Sequence, residues 1–382
     1  MEDGEISFWR MRNGLGDRIR QFVYHADWLL IGVVLVLVQI GLIAVWSFSP
    51  PLSHVFEKQI LWVVVGLAAF LGFSLLDYRV FRNHGLFLVA LYAIVVCVLG
   101  GLLVAGPVTR GVRAWLNVGG AGIQPVEVAK LVLVLVLAKY FSRRHIEISR
   151  IRHLIISGLY VGFAAILVLK QPDLGSALIL GAIWLAVVFF SGIQLRHLAI
   201  FFLLTLVLSG IAWTSLLLPY QKARITGFLD PYRDPRGTGY NTIQAMIAAG
   251  SGKIWGKGIG YGTQSHLNFL PEAETDFIFA AFTEETGFIG AILLLGLFGV
   301  FFWRITRTGI QAEDNFSKLY VLGFLASVFS AFFIHIAINL GLLPVTGIGL
   351  PLISYGGSSL ITTLAGLGIL QSIHINSRPE VG

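Results

Sequence analysis

Residues 28–48 have the sequence WLLIGVVLVLVQIGLIAVWSF, a run of 21 positions without a charged side chain. An α-helix needs about 20 apolar residues to cross the hydrocarbon core of a bilayer. The stretch therefore predicts a membrane-spanning helix. The preceding residues, 1–27, contain four arginines, and the apolar run is longer than the core of a cleavable signal peptide. We therefore predict that 1–27 is a retained tail.

Nine further apolar stretches follow the first one along the chain. They predict an all-α polytopic membrane protein with about ten transmembrane helices in a single membrane domain, residues 28–376. The fourth stretch is short and carries charges, which favours a position facing protein or water. The ten predicted helices are 28–48, 59–76, 85–105, 126–141, 153–169, 174–192, 197–218, 276–303, 317–343 and 357–376.

The composition of the 382-residue chain supports this class. Hydrophobic residues make up 56% and charged residues 12%, whereas soluble proteins carry roughly 25% charged residues. A soluble globular fold and a disordered chain are both excluded. The net charge of +7 is explained by cationic loops at a membrane, so we expect no nucleic-acid partner. The single cysteine, Cys97, excludes an intrachain disulfide and a cysteine metal cluster.

Lysine and arginine are distributed unequally between alternate connections. Sixteen lie in the tails and in one set of connections, against four in the short connections of the other set. Cytoplasmic loops carry the excess of such residues, so we predict that both termini, 1–27 and 377–382, are cytoplasmic. The long connection 218–275, between the seventh and eighth predicted helices, is then extracytoplasmic.

This long connection is rich in Gly and Pro and carries charges of both signs. A loop of this length is usually functional or disordered. Its stretch NTIQAMIAAGSG, residues 241–252, is compatible with a short amphipathic helix. The glycines that follow it predict tight turns or a backbone close to a ligand.

Ionisable residues at the ends of predicted spans are the main candidates for function, because charges are costly in lipid. Glu127 and Lys130 are three residues apart in QPVEVAK, so they share a helical face and can pair. They are compatible with a structural ion pair or with a polar cavity. Asp173, in KQPDLGSA, is equally compatible with a helix cap and with a functional carboxylate.

Asp276 is predicted to open the eighth helix, after an acidic turn. A cap is one interpretation of this carboxylate, although Thr275 is an equally good cap. A carboxylate where a polar loop enters the membrane is also a candidate general base. Glu284 lies two helical turns later and is expected to share a face with Asp276. Glu285 is expected to point elsewhere.

The stretch GLLPVTGIGLPLISYGGSS, residues 341–359, is too interrupted by Gly and Pro for a continuous helix. Non-helical backbone within a membrane is tolerated only against protein or a water-filled cavity. We predict a re-entrant or outer-rim segment. Its polar side chains are compatible with a structural role and with ligand contact alike; they are Ser354, Tyr355, Ser358 and Ser359.

Five motifs occur in an order that resembles the SEDS family of bacterial shape, elongation, division and sporulation proteins, over nearly the whole chain from the first span. GTQSHLNFLPE is more similar to the RodA elongation branch than to the FtsW division branch. The motifs are GVRAWLNVGGAGIQPVEVAK (111–130), KQPDLGSA (170–177), LDPYRDPRGTGYN (229–241), GTQSHLNFLPEAETDFIFA (262–280) and LPLISYGGSS (350–359).

The resemblance implies a ten-span peptidoglycan glycosyltransferase of the bacterial inner membrane that polymerises lipid II during cell-wall elongation. It implies a class B penicillin-binding protein as the crosslinking partner, together with other membrane proteins of the elongation complex. By position in the motifs, Asp276 matches the essential aspartate of the family. Glu127 and Lys130 match its QPxExxK pair, and Asp173 matches the aspartate of QPDLG.

The expected reaction inverts the anomeric carbon, because the donor linkage is α and the product linkage is β. Asp276 is then the general base on the acceptor hydroxyl. Cationic groups must neutralise the departing diphosphate. The candidates are Lys130, Lys222 and Arg224, or a divalent cation such as Mg²⁺ or Mn²⁺, and the sequence does not choose among them. Glu127, Lys130, Asp173 and Glu284 are expected to shape the polar cavity.

Two alternatives belong to other functional classes. A flippase would use the same intramembrane polar groups to line a path for lipid II, but the charges lie toward the outer side and no internal repeat is evident. A non-catalytic scaffold would only activate the penicillin-binding protein. Assays of polymerisation, of vesicle translocation and of partner recruitment separate the three.

Overall fold

A computed structural model describes the chain from residue 14 to residue 377, with gaps. The gaps are 49–53, 108–112, 119–120, 143–150, 193–195, 198, 201–202, 204–209, 211–213, 216–218, 238 and 268.

The described part is mostly helical, with one short antiparallel hairpin in which Asn117 pairs with Gly122. The elements, in chain order, are α1 (Leu15–His25), α2 (Trp28–Phe48), α3 (Val55–Leu75), α4 (Arg79–Asn83), α5 (Gly85–Ala105), β1 (Leu116–Val118), β2 (Ala121–Ile123), α6 (Pro125–Ser142), α7 (Ile151–Lys170), α8 (Leu174–Phe190), α9 (Pro219–Leu229), α10 (Tyr240–Ser251), α11 (Thr263–His266), α12 (Ile278–Gln311), α13 (Asn315–Asn339) and α14 (Gly357–Asn376).

Seven of these helices in the described ranges are long and apolar enough to cross a membrane, namely α2, α3, α5, α7, α12, α13 and α14. Helix α8 is apolar but has only 17 residues, and α6 carries Glu127, Lys130 and Lys139. Nine of the ten predicted stretches thus correspond to helices, and the all-α polytopic membrane fold is confirmed. The remaining stretch, 197–218, lies mostly outside the described residues, so the count of ten stays a prediction.

Helices α3 and α14 approach each other closely because glycines lie between them. A Cβ added at Gly368 of α14 would lie 2.5 Å from the carbonyl oxygen of Phe70 in α3. A Cβ at Gly66 would come as close to the side chain of Leu364. Small residues at such contacts let two membrane helices pack backbone to backbone. Helix α14 is consequently the most buried of the candidate spans.

Helix α12 bends at Gly287, whose φ of 71° lies in the left-handed region. The bend frees backbone groups that a straight helix would pair internally. The connection between α10 and α11 satisfies them: the N–H of Phe288 donates to Lys253 O at 2.9 Å, and the N–H of Gly258 donates to Glu285 O at 3.0 Å. This part of the long connection is therefore packed onto α12.

The structure describes most of the long connection 218–275 and all of the interrupted segment 341–359, both of which were predicted from the sequence. The connection predicted at 218–275 contains the short helices α9, α10 and α11, and α10 coincides with the amphipathic stretch. The interruption predicted at 341–359 is also present, because α13 ends at Asn339 and α14 begins at Gly357. Which side of the membrane each connection faces stays a prediction.

Candidate active site

A cavity of about 400 Å³ lies where α6 and α8 begin, against the turn before α12 and the non-helical segment 340–356. It brings together four of the residues expected from the sequence: Glu127, Lys130, Asp173 and Asp276. The other polar side chains on its wall are Gln124, Ser176, Asn241, Thr275, Thr346, Ser354, Tyr355, Ser358 and Ser359.

Glu127 and Lys130 form an ion pair on the first turns of α6. Pro125 begins this helix, where its missing N–H is no loss. The Nζ atom of Lys130 lies 2.7 Å from Oε1 of Glu127, and the two side chains are only 10% and 13% exposed. Both interpretations left open by the sequence are thus compatible with the structure, which contains an ion pair that also lines a cavity.

Asp173 caps helix α8 and also faces the cavity. Its Oδ1 atom accepts the N–H of Ser176 at 2.9 Å, as an N-cap carboxylate does. Its Oδ2 atom accepts a hydrogen bond from Nε2 of Gln124 at 3.1 Å. Gln124 also donates its backbone N–H to Oγ of Ser358 at 2.9 Å. This network fixes the start of α6 against α8 and α14.

Asp276 lies in the turn before α12 and is half-buried. The helix begins at Ile278 and its N-cap is Phe277, so neither Asp276 nor Thr275 is the cap expected from the sequence. The N–H of Asp276 donates to Glu272 O at 3.1 Å. Opposite its carboxylate lies Gly347, where an added Cβ would be 3.9 Å from Oδ2.

The non-helical segment 340–356 is hydrogen-bonded to this turn at several points. Ser354 donates its hydroxyl to Thr275 O at 2.7 Å, and Tyr355 donates its N–H to Glu274 O at 2.8 Å. Burial, reinforced by the charge of Glu274, raises the pKa of Tyr355 despite a hydrogen bond with Trp62. The phenol is therefore protonated near neutral pH.

Glu284 does not line this cavity. It is fully buried and accepts from Nζ of Lys257 at 2.6 Å and from the N–H of Gln264 at 3.0 Å. The expectation that it shares a helical face with Asp276 is wrong, because Asp276 precedes the helix and only Glu284 belongs to it.

Of the two cations proposed from the long connection, only Lys222 has a side chain within the described part of the chain. Lys222 lies on α9 and is half-buried, and it is absent from the residues that line the cavity. Helix α9 also contains Arg224, but the side chain of Arg224 lies outside the described residues. Their predicted role stays a prediction.

Sequence reasoning missed Gln124 and Asn339. Gln124 stands directly before Pro125 in a recognised motif, but nothing local indicates that its amide binds Asp173, 49 residues away. Asn339 donates from Nδ2 to Asp276 O at 3.0 Å, across 63 positions of sequence. Among the described residues, no three His, Cys, Asp or Glu side chains form a metal-binding group.

The chain is similar to known proteins over nearly its whole length. Residues 21–379 match the family model of the FtsW, RodA and SpoVE group, described as "Cell cycle protein". Stage V sporulation protein E of Bacillus subtilis (strain 168) is 36% identical over 363 residues, which cover 92% of this chain and 98% of that protein. Peptidoglycan glycosyltransferase MrdB of Escherichia coli (strain K12) is 35% identical over 358 residues, covering 93% and 95%.

Two solved structures are similar in fold. A chain from a study of a peptidoglycan synthase complex matches with a TM-score of 0.78 and 33% identity, covering 92% of this chain and 98% of that one. The rod shape determining protein RodA of Thermus thermophilus matches with a TM-score of 0.70 and 29% identity, covering 93% and 98%.

Relatives named for sporulation and for glycosyltransferase activity are about equally similar, so the RodA branch stays a prediction within the family. The match of 21–379 to one family model and these full-length relatives lead to one conclusion. The chain belongs to the FtsW, RodA and SpoVE family of cell cycle proteins, the SEDS family that its five motifs resemble.

Proposed function

We propose that this chain is a peptidoglycan glycosyltransferase that polymerises lipid II into glycan strands, with Asp276 as the general base. The proposal rests on the cavity, because Asp276, the Glu127–Lys130 pair and Asp173 all line it. The name of its relative MrdB, peptidoglycan glycosyltransferase, supports the same reaction.

In the proposed step, the 4-hydroxyl of the acceptor GlcNAc attacks the anomeric carbon of the donor MurNAc. The new β-glycosidic bond forms as the bond from that carbon to the lipid diphosphate breaks, so the configuration inverts. The Asp276 carboxylate takes the hydroxyl proton, and the bonding electrons leave with the diphosphate. General base catalysis of this kind contributes about 10²- to 10⁴-fold to a rate.

The departing diphosphate is an anion and needs positive charge nearby. Lys130 lines the cavity and is bound to Glu127 at 2.7 Å. We propose that the ammonium of Lys130 neutralises the diphosphate and that Glu127 holds this ammonium in place. Lys222, Arg224 and a divalent cation such as Mg²⁺ or Mn²⁺ remain further candidates for the same charge. Asp173 shapes the wall through its bond with Gln124.

We place the protein in the bacterial inner membrane with both termini cytoplasmic and residues 218–275 outside. The inequality of Lys and Arg between the two sets of connections supports this orientation. A class B penicillin-binding protein is the proposed partner. The solved peptidoglycan synthase complex concerns the coordination of polymerisation and crosslinking, which supports a pairing of these two activities.

The decisive experiment compares Asp276→Asn with the parent chain, purified with its partner, in polymerisation of lipid II. We expect the rate to fall by about 10²- to 10⁴-fold without a change in thermal unfolding or partner capture. Glu274→Gln is the matched control, because Glu274 lies in the same turn but does not line the cavity. A parent-like rate for Asp276→Asn would disprove the role of this carboxylate.

Assays of lipid II translocation across vesicles and of partner stimulation, added to the polymerisation assay, separate the two alternatives. A chain that moves lipid II across vesicles but forms no polymer would be a flippase. A chain that stimulates its partner equally well with Asp276→Asn, and forms no polymer itself, would be a scaffold.

A further inference from the structure

We propose that Asn339 is a positioning residue that holds Asp276 in its reactive orientation, an inference that rests on the proposed function of Asp276. Asn339 is the last residue of α13 and is fully buried. Its Nδ2 atom donates to Asp276 O at 3.0 Å, and its Oδ1 atom accepts the N–H of Ala280 at 2.9 Å. One side chain therefore ties the Asp276 peptide to the first turn of α12.

The first turn of α12 needs such a partner. The first N–H groups of a helix have no acceptor within the helix, and the N-cap residue, Phe277, has no side chain that can accept a hydrogen bond. Asn339 supplies this cap from another helix, through the Ala280 N–H. An asparagine suits the position because it offers both a donor and an acceptor.

The amide of Asn339 is itself fixed in orientation. Its Nδ2 atom also donates to the carbonyl oxygen of His335 in the same helix, at 2.8 Å. With both amide ends hydrogen-bonded and the residue fully buried, rotation of the side chain would break three hydrogen bonds. Asp276 O is consequently held at a fixed point relative to α13.

Asn339 and Ser354 bind the turn before α12 from positions before and near the end of the non-helical segment 340–356. Asn339 precedes this segment and binds Asp276 O, while Ser354 lies at its end and binds Thr275 O at 2.7 Å. The segment forms a wall of the cavity. Asn339 and Ser354 thus hold two adjacent peptides of the turn, which fixes the Asp276 backbone and the direction of its Cα–Cβ bond.

A displacement of about 1 Å in a catalytic group costs up to about 100-fold in rate. We therefore expect loss of the Asn339 ties to lower the turnover of lipid II and to leave substrate binding unchanged. Asn339→Leu has nearly the same shape and removes all three hydrogen bonds. Asn339→Asp keeps an acceptor for the Ala280 N–H but loses the donor to Asp276 O.

The matched control is Ser372→Ala. Ser372 is buried, donates its hydroxyl to Leu76 O at 2.6 Å and accepts the N–H of Tyr78 at 3.1 Å. It thus joins two helix ends by the same kind of bond but does not line the cavity. Ser372→Ala therefore measures how the loss of side-chain hydrogen bonds between helices changes stability when the cavity is not affected.

The experiment measures kcat, KM for lipid II and thermal unfolding of the partner-bound complex for Asn339→Leu, Asn339→Asp, Ser372→Ala and Asp276→Asn. Positioning predicts that kcat falls 10- to 100-fold in Asn339→Leu at unchanged KM, and falls in Asn339→Asp, whereas Ser372→Ala keeps its kcat.

Three outcomes would count against the proposal or its premise. Parent-like kcat in a folded Asn339→Leu, beside an inactive Asp276→Asn, would overturn positioning while the proposed function stands. A parent-like Asp276→Asn would instead overturn the proposed function. Should Asn339→Leu fail to fold, Asn339→Asp carries the test, and a parent-like kcat for it overturns positioning.

Discussion

Two groups of carboxylates lie near the start of α12, and their surroundings differ sharply. Asp276 is half-buried and lines a cavity of about 400 Å³. Glu284 and Glu285, two turns later at the bend, are 0% and 4% exposed and lie away from the cavity wall. The cavity beside Asp276 has space for a ligand, whereas other groups of the protein fill the space around Glu284 and Glu285.

The hydrogen bonds of the buried pair show what it does. Glu284 accepts from Lys257, Thr263 and the N–H groups of Gln264 and Ser265. These donors all come from the connection that packs on the bend of α12. A carboxylate that accepts so many bonds has its lone pairs engaged. It organises the connection and has little capacity left for a substrate.

Glu285 repeats this arrangement with a different set of donors. It accepts from Oγ of Ser47 at 2.8 Å, from the N–H of Gly260 at 2.9 Å and from Nε2 of His266 at 3.1 Å. The bond to Ser47 links α12 to the end of α2. Burial and charge alone therefore do not make a carboxylate a candidate for function; an adjoining cavity does.

The largest expected effect on stability is that of Glu284→Ala. Removing one partner of a buried charge pair typically costs about 3–5 kcal/mol, and here the hydroxyl of Thr263 and the N–H groups of Gln264 and Ser265 also lose their acceptor. We expect the yield and the thermal unfolding temperature of the complex to fall strongly. Asp276→Ala is the control, since a cavity residue should change unfolding little. Equal stability of the two variants would remove the contrast between the regions.

A smaller effect is expected from Lys257→Met. Lys257 is 28% exposed and binds Glu284 at 2.6 Å, but the N–H groups of Gln264 and Ser265 still hold the carboxylate when the ammonium is absent. A hydrogen bond to a charged group contributes about 1.5–3 kcal/mol, and partial exposure favours the lower end. The measurement is thermal unfolding in detergent.

Lys253→Met is the matched control for Lys257→Met, because Lys253 belongs to the same connection and is exposed. It should unfold like the parent chain. If Lys257→Met proved as damaging as Glu284→Ala, the ion pair rather than the set of N–H donors would hold the connection.

Variants of the Glu127–Lys130 ion pair test whether charges that line the cavity serve the substrate or only the fold. For Glu127→Gln, Lys130→Met and the double variant, we expect a coupling energy of about 1 kcal/mol in unfolding, within the range for residues in direct contact. If the charges also serve the substrate, lipid II polymerisation falls in each single variant and stays low in the double variant. Polymerisation restored in the double variant would make the pair structural, like Glu284 and Lys257.

The sequence predicts those features of the fold that depend on local composition. Apolar length identifies nine helices of the described chain, and the Gly and Pro residues of 341–359 identify the break between α13 and α14. These signals are local because the membrane imposes the length of each span and Gly and Pro act on their own backbone. The bend at Gly287 was not predicted, since a glycine within a predicted span is compatible with a straight helix.

The candidate site is less predictable because its contacts are distant in sequence. The pairing of Glu127 with Lys130 follows from helical spacing, and the cap by Asp173 follows from its position before α8. The partners of Glu284 lie 19 to 33 residues away, and Asn339 binds Asp276 across 63 residues. No periodicity reveals which of two acidic residues meets a cavity and which meets a loop.

The smallest effect is expected at Asp314, a third hydrogen-bonded carboxylate, which lies before α13. Burial alone raises its pKa, but hydrogen bonds from Tyr78 and Ser317 and the charge of Arg82 outweigh burial and hold the pKa below its ordinary value. A lowered pKa stabilises the fold above the ordinary value of about 3.9. This stabilisation is lost as the pH falls below that value and through the folded pKa.

Between pH 5 and pH 3, the parent chain should therefore lose more stability than Asp314→Asn, by about 1 kcal/mol or less, because the side chain is 24% exposed. Thermal unfolding across this window measures the difference. Glu313→Gln is the control, since Glu313 is the exposed neighbour and its loss should leave the pH dependence of the parent. If the stability of the parent and of Asp314→Asn depended on pH in the same way, the hydrogen bonds to Asp314 would not stabilise its ionised carboxylate. The same explanation for Glu284 would then lose support.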